Sequence, residues 1–280
     1  MRIGKKITKG FTLVELLVVV AVLALLASIV FSNLGGAREG ARISNSLQYQ
    51  SQTHNLLGAD LIGWWNFNNE SVTDMSGYDN NGTIHGSSSF VDGVPGTTGK
   101  AMSFVGTSTG NGVRIVDYDP VNEFSQLSIS VWVKSTHEGL HWGPVVAKNY
   151  REFQVKIDGG YFQVSLWPQG VRRDCYSSAS DNRTIKGQWH HLVFHWNGAT
   201  GMVEKYIDGN LSQAACTGSN WQGTISSTAS RFYIGGFTGD RSDYAYDGLI
   251  DDVRIYSRAL TASEVQTLYA QTKDKHLAND

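Results

Sequence analysis

With 280 residues, 41% of them hydrophobic, and 12 Tyr, 11 Phe and 8 Trp, the chain can build a sizeable core, which excludes a disordered or collagen-like protein. Its 23 basic residues nearly balance 25 acidic ones, and no Lys/Arg block follows the first ten residues, so the electrostatic footprint of a nucleic-acid partner is missing. Four Pro against 31 Gly point to turn-rich β-structure, and one long apolar run excludes a polytopic membrane protein.

That run covers residues 11–30, FTLVELLVVVAVLALLASIV, with Glu15 its only charge. As a helix it would be about 30 Å long, one hydrocarbon thickness, and could cross a membrane once. Arg2, Lys5, Lys6 and Lys9 stand ahead of it, and the positive-inside bias then sends everything after the span outward. A secretory signal or an uncleaved signal anchor would read the same way, except for Glu15. A carboxylate in the apolar part of a helix costs several kcal/mol unless it is neutralised. Cleavage between Gly10 and Phe11 would create an ammonium group at Phe11 that could serve as its partner.

Lys9-Gly10-Phe11-Thr12-Leu13-Val14-Glu15 resembles the processing site of type IV prepilins and the related pseudopilins. The resemblance implies removal of a leader, residues 1–10, by a prepilin peptidase, then N-methylation of Phe11 and assembly with other pilin subunits. Glu15 matches the family's acidic position, where it would pair with the Phe11 ammonium of a neighbour and set the register of a filament. The implied location is a single pass of the inner membrane before assembly and an extracellular surface filament afterwards. Beyond the span, Ser32, Asn33, Gly35 and Gly36 weaken the helix, while Ile43, Leu47 and Leu56 or Leu57 permit an apolar stripe. The pilin-type helix is therefore placed at 11–59, and the head begins near residue 60.

In the head, helical periodicity gives way to short alternating runs separated by Gly, Asn, Asp and Ser. Leu127, Ile129, Val131 and Val133 alternate with Ser128, Ser130, Trp132 and Lys134, as in a strand with two unlike faces. Further strands are expected at 163–167, 189–196, 203–207, 231–234 and 249–256, with Asp208-Gly209 as a hairpin turn. About ten to fourteen antiparallel strands in two stacked sheets fit this length. The fold class is thus α+β, a long N-terminal transmembrane helix followed by an antiparallel β-sandwich.

Several phrases in this region, taken in order, resemble the laminin-G-like, concanavalin A-like jelly rolls. They include Gly63-Trp64-Trp65-Asn66-Phe67, Lys100-Ala101-Met102-Ser103-Phe104, Gln188-Trp189-His190-His191-Leu192 and the run from Asp247 to Tyr256. The resemblance covers 60–260 and leaves 261–280 as a short helix and tail, started by a capping box at Thr261 and Glu264.

Asp74, Ser76, Asn80 and Asn81 gather oxygen donors around Gly77, and Asp251 or Asp252 could close a calcium site, which this fold family often holds. The expected ligands are Asp74, Asn80 and Asp251, with calcium in a structural role. The alternative is an Asx-rich turn without metal. His190 and His191 point to opposite faces of a strand and cannot chelate one ion. No Glu-x-Asp-x-x-Glu run supplies the paired carboxylates of a jelly-roll glycosidase, so no catalytic residue is assigned and the head is not read as an enzyme. Saccharide binding needs less, namely aromatic faces and polar side chains. Trp142, Tyr150, Trp167, Arg172, Tyr176 and Trp221 supply these in loop-like surroundings, although Trp142, Trp167 and Trp221 could equally be packing residues. Cys175 and Cys216, the only cysteines, would pair in an oxidising compartment.

The combined expectation is a subunit of a type IV pilus-like filament, minor or specialised, whose lectin-like head adheres to a glycan or a surface protein. The alternatives are a pseudopilin of a type II secretion-type machine contacting cargo and a membrane-tethered carbohydrate-active enzyme.

Overall fold

The computed structural model describes residues 13–28, 57–94, 99–106, 110–118, 123–136, 143–149, 151–176, 187–212, 216, 218–226, 230–237 and 246–277. The chain divides into two compact units, Met1–Gln52 and Thr53–Asp280. Leu57, just ahead of the expected boundary near residue 60, is buried.

In the first unit, residues 13–28 form helix α1, whose side chains are all exposed. The segment lies inside the expected span 11–30, whose ends fall outside the described residues. Among the described residues no helix is long and apolar enough to cross a membrane. The expected leader, Gly10 and Phe11 lie outside the described residues, as does the continuation of the helix through Gly35 and Gly36.

In the second unit, seventeen strands are described: β1 Leu61–Trp65, β2 Thr83–His85, β3 Ser89–Asp92, β4 Lys100–Phe104, β5 Gly112–Tyr118, β6 Glu123–Phe124, β7 Gln126–Ser135, β8 Pro144–Lys148 and β9 Phe153–Asp158; then β10 Tyr161–Leu166, β11 Arg173–Cys175, β12 His190–Asn197, β13 Met202–Ile207, β14 Asn210–Leu211, β15 Ile225–Ser226, β16 Ser230–Ile234 and β17 Gly248–Tyr256. This exceeds the expected ten to fourteen because several strands have only two or three residues, too short for alternation to reveal. An eight-stranded sheet runs β14-β13-β12-β7-β17-β4-β3, with β1 also on β17, and a seven-stranded sheet runs β11-β10-β9-β8-β16-β5-β2. A small pair, β15-β6, completes the set.

The inner faces of the two large sheets share one core. Leu127, Ile129, Val131 and Val133 of β7 meet Phe153, Val155, Phe162 and Phe232 of the opposite sheet. Trp65 stacks on Phe232 with ring centroids 5.3 Å apart, and the buried Tyr118 hydroxyl donates to Ile62 O at 3.2 Å. The Asp208-Gly209 hairpin forms as expected between β13 and β14, with φ of 52° and 75° at its two central residues. These are the left-handed values that a two-residue turn requires and that Gly accepts without strain.

The outer face of β7 departs from the expectation of two unlike faces, because Ser128, Ser130 and Trp132 are buried as well. Helix α2, Ala262–His276, covers that side through Val265, Leu268 and Tyr269. It starts at the expected capping box, with Thr261 Oγ accepting from Glu264 N and the Glu264 carboxylate accepting from Thr261 N.

Candidate functional site

A bulge in β17 organises one cluster of charge. Asp251 lies opposite Trp132 and Arg254 opposite Ser130, so one residue too many stands between them, and Asp252 takes φ 49°. Ile250, Val253 and Ile255 consequently face the core, and the extra residue turns Asp251 and Asp252 to the outer side together. There Asp251 Oδ2 accepts from Lys275 Nζ at 2.7 Å and His276 Nε2 at 2.9 Å. Asp252 Oδ1 accepts from Trp64 Nε1 at 3.0 Å and Arg254 at 3.3 Å. Burial alone would raise the Asp252 pKa, but the charges of Lys275, Arg254 and His276 outweigh it and hold the carboxyl well below its ordinary range. Alternation alone cannot reveal this cluster, because the bulge that builds it breaks the alternation.

The calcium expectation fails the test of donor chemistry. Asp74 Oδ1 accepts from Trp64 N and Ser76 N, each at 2.9 Å, and its Oδ2 accepts from Asn80 N at 3.1 Å. The structure thus brings Asp74 and Asn80 together, but through backbone N–H groups that occupy the carboxylate as an Asx turn does. Asp251 is committed elsewhere, to the Lys275 ammonium and the His276 ring. Asp74, Asn80 and Asp251 therefore do not fit a hard cation. Among the described residues no group of three or more His, Cys, Asp or Glu could hold a metal.

His190 and His191 are each engaged by one ring nitrogen. His190 Nδ1 lies 2.9 Å from Asp208 Oδ2, and His191 Nε2 lies 2.8 Å from Ser130 Oγ, one strand position apart and on opposite faces. His195 Nε2 stands 3.1 Å from Glu204.

The aromatic and basic candidates gather around the disulfide. Cys175 and Cys216 are bonded, with Cα atoms 5.8 Å apart. Arg172 lies over the Trp167 ring at 5.5 Å and bonds Asp174 Oδ1 at 3.0 Å, an atom that also accepts from Ser165 Oγ. Arg173 Nε donates to Asn220 O at 2.8 Å, and Trp196 Nε1 donates to Trp221 O at 2.7 Å. Trp167 and Trp221 are buried, so packing rather than ring presentation is their role in this conformation, and Trp167 is further covered by Arg172. Arg172 and Tyr176 remain at the surface, Tyr176 at 57% exposure. Trp142 and Tyr150 lie outside the described residues.

A second feature went unnoticed in the sequence, the outer face of the seven-stranded sheet, which is buried at Ser165, Gln154, Ala147 and Tyr233 and opens only towards the edge at Thr83. Register places Ser165, Gln154, Ala147, Tyr233, Arg114 and Thr83 in one row across six strands. The row points away from the core, because the strand neighbours Val164, Val155, Val146, Phe232 and Val113 face inward. It carries a buried Arg114 Nε without a hydrogen-bond partner, and Gln163 on the same face has neither amide atom paired. Such orphans are uncommon in folded proteins.

This geometry defines a class, an antiparallel two-sheet sandwich of the lectin type, preceded by a separate apolar helix. The family model of the concanavalin A-like lectin/glucanases superfamily matches residues 106–266, more than half of the chain, and the chain belongs to that superfamily. Residues 5–31 match the model of the prokaryotic N-terminal methylation motif. Among solved structures, domain 4 of AbnA, a GH43 extracellular arabinanase from Geobacillus stearothermophilus in complex with arabinotriose, is similar at 25% identity and TM-score 0.58. That match covers 75% of this chain and 98% of the other. The binding domain of Paraclostridial Mosquitocidal Protein 1 is similar at 18% identity and TM-score 0.63, over 78% of this chain and 53% of that one. The receptor-binding domain of botulinum neurotoxin C/D mosaic serotype is similar at 14% identity and TM-score 0.60, over 76% and 52%. The chain thus spans about half the length of these two toxin domains. No curated protein matches.

Proposed function

We propose that this protein is a pilin-type filament subunit, minor or specialised, whose head binds a glycan at the cell surface. The observation that carries the reading is the union in one chain of the methylation motif with a lectin-like sandwich. The motif supports processing by a prepilin peptidase, passage through the inner membrane, and assembly with other pilin subunits in which Glu15 meets the Phe11 ammonium of a neighbour. The head supports binding rather than catalysis. Its similarity to a domain solved with arabinotriose favours a saccharide over a protein ligand.

The test is a glycan array probed with the full-length protein in detergent micelles. Retention on defined saccharides supports the reading, and turnover of any of them would replace it with a tethered enzyme. Absence of retention would leave an architectural role.

A further inference from the structure

Arg114 lies on β5 with its flanking residues, Val113 and Ile115, in the core, so its side chain is on the outer face of the seven-stranded sheet. Its strand partners are Tyr233 on one side and Thr83 of the edge strand β2 on the other. This end of the sheet is open, since Thr83 is exposed and Val116 is 54% exposed. Arg114 Nε is nonetheless buried and without a hydrogen-bond partner. Arg114 also joins none of the ion pairs formed among the described residues. His85, two residues along β2 from Thr83 and so on the same face, has a buried Nε2 that is equally unpartnered.

A guanidinium with a desolvated N–H and no acceptor is costly, and a planar oxyanion is the group that its fork of donors fits best. We propose that Arg114 and His85 form a subsite for the carboxylate of an acidic saccharide, with Arg114 as the anchoring cation. This rests on the glycan-binding reading above and adds the charge class of the ligand and its place on the fold. Burial, reinforced by the Arg114 charge, lowers the His85 pKa and keeps its imidazole neutral at physiological pH. Of the two residues, Arg114 then supplies the one positive charge, which matches a singly charged carboxylate better than a dianionic phosphate. Gln163, on the same face but four strands away, is sealed from solvent and is not part of this subsite.

The experiment uses the full-length protein in detergent micelles, with trigalacturonate, its methyl ester and maltotriose as probes, beside the same glycan array. The acid should bind at least about tenfold more tightly than the ester or the neutral sugar, as expected when a charge-assisted bidentate contact is lost. Arg114→Gln should erase that preference, Arg114→Lys should retain part of it, and both should melt like the wild type. Saturation with trigalacturonate should also raise the His85 pKa, read by NMR of the imidazole, whereas the ester should leave it unchanged. Equal binding of acid and ester, or an Arg114→Gln variant that binds like the wild type, would overturn the inference and leave glycan binding standing. Failure of every saccharide on the array would remove both.

Discussion

The ring of Trp132 lies on that of His276, with centroids 4.2 Å apart and planes 6° from parallel. Trp132 belongs to the centre of the eight-stranded sheet and His276 to the last turn of α2, so this stack fastens the C-terminal helix to the sandwich. Two further contacts hold the same joint: Trp132 Nε1 donates to Thr272 Oγ at 2.8 Å, and His276 meets Asp251 at 2.9 Å.

Removing Asp251 should loosen that joint severely. Asp251→Ala leaves Lys275 and His276 without their shared carboxylate, and breaking a buried ion pair costs about 3–5 kcal/mol. Urea denaturation followed by tryptophan fluorescence should show the loss. A change within error would mean that α2 is held by its apolar face alone.

Acid should destabilise the head before its carboxylates titrate. His191 is enclosed, and burial, with the charges of Arg254 and His276 adding to it, holds its pKa down to about 3. The folded state therefore keeps His191 neutral, while in the unfolded chain it takes up a proton near pH 6.5. Its contribution is whole above about pH 6.5 and is lost progressively as the pH falls towards 3. His195 and His85 are shifted in the same direction, chiefly by burial. The melting temperature should fall across this window, and His191→Gln should flatten the slope.

Reducing the Cys175–Cys216 bridge, which spans 41 residues, should cost about 3–4 kcal/mol on the chain-entropy account. The double Cys→Ala variant should lose the same amount in denaturant and become insensitive to reductant. A reductant effect that persists in the variant would point to another cause.

Asp74 is read as the anchor of a turn rather than as a metal ligand. Asp74→Ala would strand three backbone N–H groups and should cost about 1–3 kcal/mol. Excess chelator should leave the melting temperature of the wild type unchanged. A fall on chelation would restore a cation to this turn.

Much of the sandwich was legible because its signals are local. The alternation of Leu127, Ile129, Val131 and Val133 gave β7, Asp208-Gly209 gave a hairpin, and Thr261 with Glu264 gave the start of α2. What stayed hidden depends on tertiary covering. Ser128 and Ser130 look solvent-facing by pattern, yet both are buried, and α2 packs on the neighbouring Trp132. Asp251 looked like a calcium ligand because Lys275 and His276, some 25 residues further on, could not be foreseen as its partners. Trp167 and Trp221 sit in loop-like sequence, and only the fold shows them packed beside the disulfide region. Arg114 gave no signal in the sequence, since an unpaired guanidinium is recognised only by what is missing around it.

The account turns on a lectin-like head carried by a processed pilin-type helix. The most direct test is mass spectrometry of the N-terminal peptide from sheared surface filaments. It should begin at an N-methylated Phe11. Recovery of the protein only from membranes, with Met1 to Gly10 intact, would contradict the account.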